Sequence, residues 1–223
     1  MTDRDENVRL AVYSSLAGTG RMPSVTELGE RTGLSAAEVV EAMDELAARR
    51  HLVFDGDHEV VLAHPFATRN FAFSVMGRHT LWWGGCAWDA FAIPNLVPEE
   101  PSALVATTCP ACGTAHSWTV TNAHPPAGTQ VAHFLVPMAR AWDDVVHTCE
   151  NQRVFCTEAC VDRWLGETGN ERGAVFDLAT LWRLASKWYA GRLDSPYRRR
   201  EPKEAHEYFA SVGLVGPFWG NAP

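Results

Sequence analysis

Residues 80–97 read TLWWGGCAWDAFAIPNLV, and the folding of this stretch decides how the rest of the chain is arranged. Gly84 and Gly85 lead into a run that is apolar on every side, which predicts a glycine-led turn and a short buried helix that stops before Pro94. Cys86 and Asp89 fall three residues apart in it, one turn away from each other on a common helix face. A buried thiol is ordinarily a small hydrophobe, and an aspartate near a helix start is ordinarily a cap. Trp82, Trp83, Trp88 and Phe91 crowd the pair and would exclude water from it. Packing and chemistry are both open readings of this pair, and the flanking sequence has to decide between them.

Upstream, residues 5–63 have the pattern of a winged helix-turn-helix. ENVRLAVYSSLAGTG (6–20) spaces apolar residues for a helix and ends in glycine, and residues 24–54 give a short helix, a turn at Gly33 and a longer amphipathic helix. Ser35 with Glu38 forms a capping box at the start of the longer helix. HLVFDGDHEVVLAHP (51–65) reads as a hairpin with an Asp-Gly turn. Such a unit ordinarily suggests DNA binding, but the longer helix carries Glu38, Glu41, Asp44 and Glu45 against only Arg49 and Arg50. Phosphates would be repelled by it. Residues 1–64 are therefore expected to be a scaffold unit, with Val39, Val40, Met43, Leu46 and Ala47 as its packing stripe.

Downstream of Pro65 the pattern shortens. FAFSVM, ALVATT, HSWTVT, VAHFLVP and QRVFC alternate as strands do, and 158–168 and 174–191 are spaced as helices. DSPYRRREPKE (194–204) reads as a charged linker, followed by a last helix ending at Gly213. The expected fold class is α+β: a winged-helix-like helical unit, then a mixed or antiparallel sheet with flanking helices over 65–197, then a linker and tail over 198–223.

Bulk properties exclude several classes. The 223 residues are 46% apolar and 21% charged with a formal net charge of −8, a globular balance that gives no general attraction to nucleic acid or anionic membrane. The charged N-terminus is unlike a signal peptide, and no apolar run nears the roughly 20 residues of a membrane helix. A cytoplasmic location is expected, in which six cysteines point to metal or catalysis rather than disulfides. Cys109 and Cys112 form CPACG, and Cys156 and Cys160 form a CxxxC at a helix start. Together they would complete a four-thiolate shell of the kind zinc favours, giving a structural site. A redox CxxC is the rival for the first pair, although the helix it should begin is missing. Cys86 and Cys149 remain outside this set.

Four segments resemble the organomercurial (alkylmercury) lyases. GRHTLWWGGCAWDAFAIPNLV (77–97) is similar to their active-site segment, in which a nucleophilic cysteine and a proton-donating aspartate sit at the spacing of Cys86 and Asp89, followed by an apolar-Pro pair like Ile93-Pro94. LVATTCPACG (104–113) falls where the family has a further cysteine, matched by Cys109. HTCENQRVFCTEACVDRW (147–164) resembles the second catalytic segment, with Cys149 before a short strand and Trp164 after it, and LAHPFATRNFAFSV (62–75) also agrees. The resemblance spans roughly residues 5–193. It implies protonolysis of a carbon–mercury bond by Cys86, Cys149 and Asp89, with Hg(II) left on the two cysteines and no catalytic cofactor. Low-molecular-weight thiols or a mercuric reductase would accept the Hg(II), and neither DNA nor a membrane would be a partner. Cys112, Cys156 and Cys160 depart from the family pattern, and so does the tail from Arg198. Two alternatives stand beside this reading: a winged-helix sensor of metals or organometals, and a family homologue acting on another soft-metal substrate.

The chemistry fits those residue types. Soft thiolates suit soft mercury, two of them push electron density onto carbon, and an adjacent carboxyl could take a thiol proton and deliver it to that carbon.

Overall fold

Three helices open the chain, α1 (Asp3–Thr19), α2 (Val25–Thr32) and α3 (Ala36–Ala48), packed on one another. The computed structural model describes residues 1–220. Each helix starts with a capping box, Thr2 with Asp5, Ser24 with Glu27 and Ser35 with Glu38, so orphan donors at each start are satisfied within the helix's own first turn. On α3, Val39, Met43 and Leu46 are buried as expected. Val40 is 38% exposed and Ala42 takes its place in the core, because the inward stripe follows the 39-42-43-46 spacing.

The strands are β1 (Val53–Phe54), β2 (Val60–Ala63), β3 (Phe66–Ala67), β4 (Phe73–Met76), β5 (Leu81–Gly84), β6 (Ser102–Thr108), β7 (Ala115–Thr121), β8 (Val131–Phe134), β9 (Gln152–Phe155) and β10 (Ala174–Asp177). A seven-stranded sheet runs β1-β2-β3-β5-β4-β6-β7 and a three-stranded one runs β10-β8-β9. Every strand pair in both is antiparallel. The β1–β2 hairpin is thus the edge of the main sheet, and the helical unit is continuous with it through one core.

Helices α4 (Ala87–Leu96), α5 (Val145–Glu150), α6 (Glu158–Thr168), α7 (Leu178–Trp188) and α8 (Pro202–Ser211) complete the fold. α4 lies at its centre, against the main sheet on one side and α7 and β9 on the other. Trp88, Phe91 and Ile93 are buried there, each contributing about 1.5–3 kcal/mol. The helix does not stop before Pro94. It continues to Leu96, because Asn95 Nδ2 donates to Phe91 O at 2.9 Å and Val97 N–H to Ile93 O at 3.0 Å, closing the last turn around the proline. Residues 174–177 are a strand rather than the start of a helix: they pair with β8, and Asp177 then caps α7.

The segment read as a linker is strapped down. Arg199 stacks on Trp142, and Arg200 on Trp188 and Tyr208. Beyond it Phe209, Leu214 and Trp219 are buried, within a ring cluster that includes Trp88, Phe134, Phe176 and Trp188. The final three residues of the tail expected over 198–223 lie outside the described residues.

Candidate active site

β5 delivers the chain to Gly84 and Gly85, whose lack of side chains has a steric cause. A Cβ on Gly84 would stand 2.7 Å from Ala90, and one on Gly85 would stand 2.5 Å from Asp89 Oδ2 and 2.7 Å from Leu62. Only a bare backbone lets α4 fold back this tightly onto the strand. Cys86 is then the N-cap of α4 rather than part of it, with extended backbone, and its Sγ accepts the Asp89 N–H at 3.4 Å. The thiol has taken the place usually held by serine or aspartate. Asp89 does not cap the helix, so its carboxylate is free for other partners.

Those partners are His64 and Tyr189. His64 Nδ1 lies 2.8 Å from Oδ2, and the Tyr189 hydroxyl donates to Oδ1 at 2.5 Å, so each carboxylate oxygen has its own buried partner. Burial, reinforced by the negative charge of Asp89, pushes the Tyr189 phenol well above its ordinary range and keeps it protonated. His64 Nε2 is buried and has no protein partner among the described residues. The carboxylate therefore has a polar lining, whereas the sequence suggested an aromatic one. Trp82 is instead bonded through Nε1 to Leu16 O, on the side of α1.

Cys149, on α5 just before β9, brings its Sγ within 4.8 Å of a ring nitrogen of His64 and a carboxylate oxygen of Asp89. The Cys86 thiol is near enough for the two cysteines to influence one another's ionisation. Both cysteines are nearly sealed, at 2% and 3% exposure. Burial pushes the Cys86 thiol well above the ordinary value of 9.0, and the Cys149 contact and the Asp89 charge add to this. For Cys149 the bond from Cys86 favours the thiolate, but burial and Asp89 outweigh it and leave that thiol raised as well. The surroundings of both sulfurs thus favour the protonated thiol over the thiolate.

The N-terminal unit reaches this site through a relay of buried groups. Arg192 donates to the Tyr13 hydroxyl at 2.9 Å and stacks its guanidinium on Tyr189, 5.1 Å from the ring centre. Arg9, fully buried on α1, donates to Arg192 O and Asp194 O. Trp142 stands edge-on to His64, and the guanidinium groups of Arg50 and Arg199 both lie over its ring.

The other four cysteines gather elsewhere. The Sγ atoms of Cys109, Cys112, Cys156 and Cys160 all lie within 4.8 Å of one another, and none of the six cysteines is in a disulfide. Trp164 packs on Phe155 and His133 near this second cluster, not beside Cys86. Cys109, Cys112, Cys156 and Cys160 thus form one group, and Cys149 gathers with Asp89 and His64 in another. His64 and Tyr189 were not anticipated: His64 stood within a quoted segment without a role, and nothing around Tyr189 marks it.

Comparison with known proteins bears on this arrangement. A family model described as MerB, alkylmercury lyase, matches residues 66–190. The solved mercury-bound form of MerB2 has the same fold with a TM-score of 0.68 at 16% identity, covering 87% of this chain and 93% of that one. Among curated proteins, no sequence match was found.

Proposed function

The chain belongs to the alkylmercury lyase family, whose members act on carbon–mercury bonds, and from that premise we propose that Cys86, Cys149 and Asp89 cleave the bond by protonolysis. The observation that carries this is a buried cluster in which the Cys149 sulfur gathers with His64 and Asp89, Cys86 caps the helix turn that bears Asp89, and His64 and Tyr189 each bond one carboxylate oxygen.

One thiol displaces the ligand X of an organomercurial R–Hg–X, forming a sulfur–mercury bond while its proton leaves with X. The second sulfur then binds mercury and gives its proton to Asp89. Asp89 delivers that proton to carbon, the electron pair of the carbon–mercury bond becomes the new carbon–hydrogen bond, and R–H departs. Hg(II) is left bridging Cys86 and Cys149. The sum is R–Hg–X plus two thiols giving R–H, HX and a mercury dithiolate. Low-molecular-weight thiols, or a mercuric reductase, would then take the metal and return two protons. Mercury itself supplies the acidity that the buried thiols lack, since soft-metal binding deprotonates a thiol outright. His64 and Tyr189 hold the carboxylate in line through the transfer.

The test is incubation with an organomercurial and excess free thiol, with the hydrocarbon measured in the headspace. Cys86→Ser and Cys149→Ser should each lower release at least about a hundredfold, comparable to losing a group that acts in the chemical step. Wild-type release by either variant would remove that cysteine from the mechanism.

A further inference from the structure

CPACG is the turn between β6 and β7. Cys109 follows the end of β6 by one residue, its N–H donates to Thr114 O at 2.9 Å, and its carbonyl accepts the Gly113 N–H at 2.9 Å. Gly113 has φ of +72°, the left-handed conformation that such a knuckle needs. Cys156 follows the end of β9, and Cys160 sits in the first turn of α6, where Thr157 caps it. The hairpin belongs to the seven-stranded sheet and β9 to the three-stranded one, so the four sulfurs meet where the two sheets come together.

We propose that Cys109, Cys112, Cys156 and Cys160 hold one Zn(II) in a closed tetrathiolate shell, and that this metal fixes Cys149 in place against Cys86. The sulfur separations fit the ion: Zn–S bonds of about 2.3 Å in a tetrahedron put the sulfurs roughly 3.8 Å apart. Donors suited to a doubly negative centre surround it. His116 Nε2 is 3.4 Å from Cys156 Sγ, and Arg163 Nη2 is 4.0 Å from Cys160 Sγ. The apolar cluster at this spot has four buried members, Cys109, Phe155, Cys160 and Val161, and two of those are the ligands themselves. So small a cluster stabilises little by burial, and the metal would supply the cohesion.

The connection to the thiol pair is made by backbone. From Cys109 the main sheet leads through β6, β4 and β5 to Cys86, by continuous strand pairing. From Cys156 the single strand β9 leads back to Cys149. Metal between the far ends of these two arms closes a frame whose near ends are Cys86 and Cys149. This second part rests on reading those two thiols as the mercury site; metal binding itself does not.

Protein purified without added zinc should contain about one equivalent of zinc per chain. Stripping the metal with a chelator under reducing conditions should make amides of residues 145–155 exchange hydrogen at least tenfold faster, as seen by mass spectrometry. Peptides from α1 and α2 should be unchanged, and added Zn(II) should restore protection. If stripping unfolds the whole chain, Cys112→Ser decides the matter, since it removes only the exposed ligand and must speed exchange over the same residues. Absence of metal with four freely titratable thiols, or iron in place of zinc, overturns the metal assignment. Unchanged protection over 145–155 overturns the positioning role. Normal hydrocarbon release by Cys149→Ser, with zinc and protection intact, overturns the mercury reading alone and leaves the metal site standing.

Discussion

The hydroxyl of Tyr189 lies 2.5 Å from Oδ1 of Asp89, across a hundred positions of sequence, and with His64 it holds that carboxylate. Tyr189→Phe keeps the ring and removes the bond. Hydrogen bonds to charged groups are worth about 1.5–3 kcal/mol, so kcat should fall roughly ten- to a hundredfold. Binding of Hg(II) to the thiol pair should be unaltered, and a titration of Hg(II) beside the rate measurement separates positioning from collapse of the site.

Asp89→Asn preserves size but carries no transferable proton. Cleavage should drop about 10²- to 10⁴-fold, the usual range for a positioned acid or base. The variant should still accumulate enzyme-bound organomercurial, detectable by mass spectrometry of the intact protein. Cleavage at the wild-type rate would make Asp89 structural.

Alkaline pH should destabilise the fold through the thiol pair. Both thiols are raised above 9.0 when folded, so from about pH 9 upward the unfolded chain releases protons that the folded chain keeps. The unfolded state then binds fewer protons, and unfolding free energy falls as pH rises. Their contribution is complete below 9 and is lost progressively towards the raised folded values. Melting temperature measured from pH 8 to 10.5 should decline less steeply in Cys86→Ala/Cys149→Ala than in the wild type.

Gly85→Ala puts a methyl group 2.5 Å from Asp89 Oδ2 and 2.7 Å from Leu62. Neither neighbour has slack, because Leu62 is fully buried and Asp89 is held by two bonds. Overpacking should cost about 1–3 kcal/mol of stability. Activity should fall further than the folded fraction does, and calorimetry alongside kcat gives that comparison.

Deleting residues 1–63 removes β1, β2, Arg9 and Tyr13, and should yield an aggregating or inactive product in which Trp82 and Tyr189 lose their surroundings. The acidic α3 should give the intact protein no salt-dependent affinity for duplex DNA at micromolar concentration. Fluorescence anisotropy with a labelled duplex measures this, and clear binding would favour the sensor alternative.

Local signals made much of this structure legible. Ser35 and Glu38 announced α3, alternation announced β6 and β7, and cysteine spacing separated Cys86 and Cys149 from the other four. Errors arose where a neighbouring side chain repairs what a breaker residue disrupts, and where partners distant in sequence decide. Pro94 stays in its helix because Asn95 repairs the turn, and the arginines after Asp194 look like a solvated linker until their aromatic partners are known. Asp177 ends a strand and starts a helix, and periodicity alone cannot divide such a run. Tyr189 had no local signature at all, since its role exists only when α7 meets α4.

The near-complete burial of Cys86 and Cys149 has a consequence for how the enzyme survives in its surroundings. Peroxides, disulfides and alkylating agents attack thiolates, and at rest this pair offers almost none. On the mechanism proposed above, the same two sulfurs would become nucleophilic when a soft Lewis acid enters and acidifies them. Reactivity would then be conditional on the poison: ordinary electrophiles find an inert wall, and an organomercurial would bring the trigger for its own destruction.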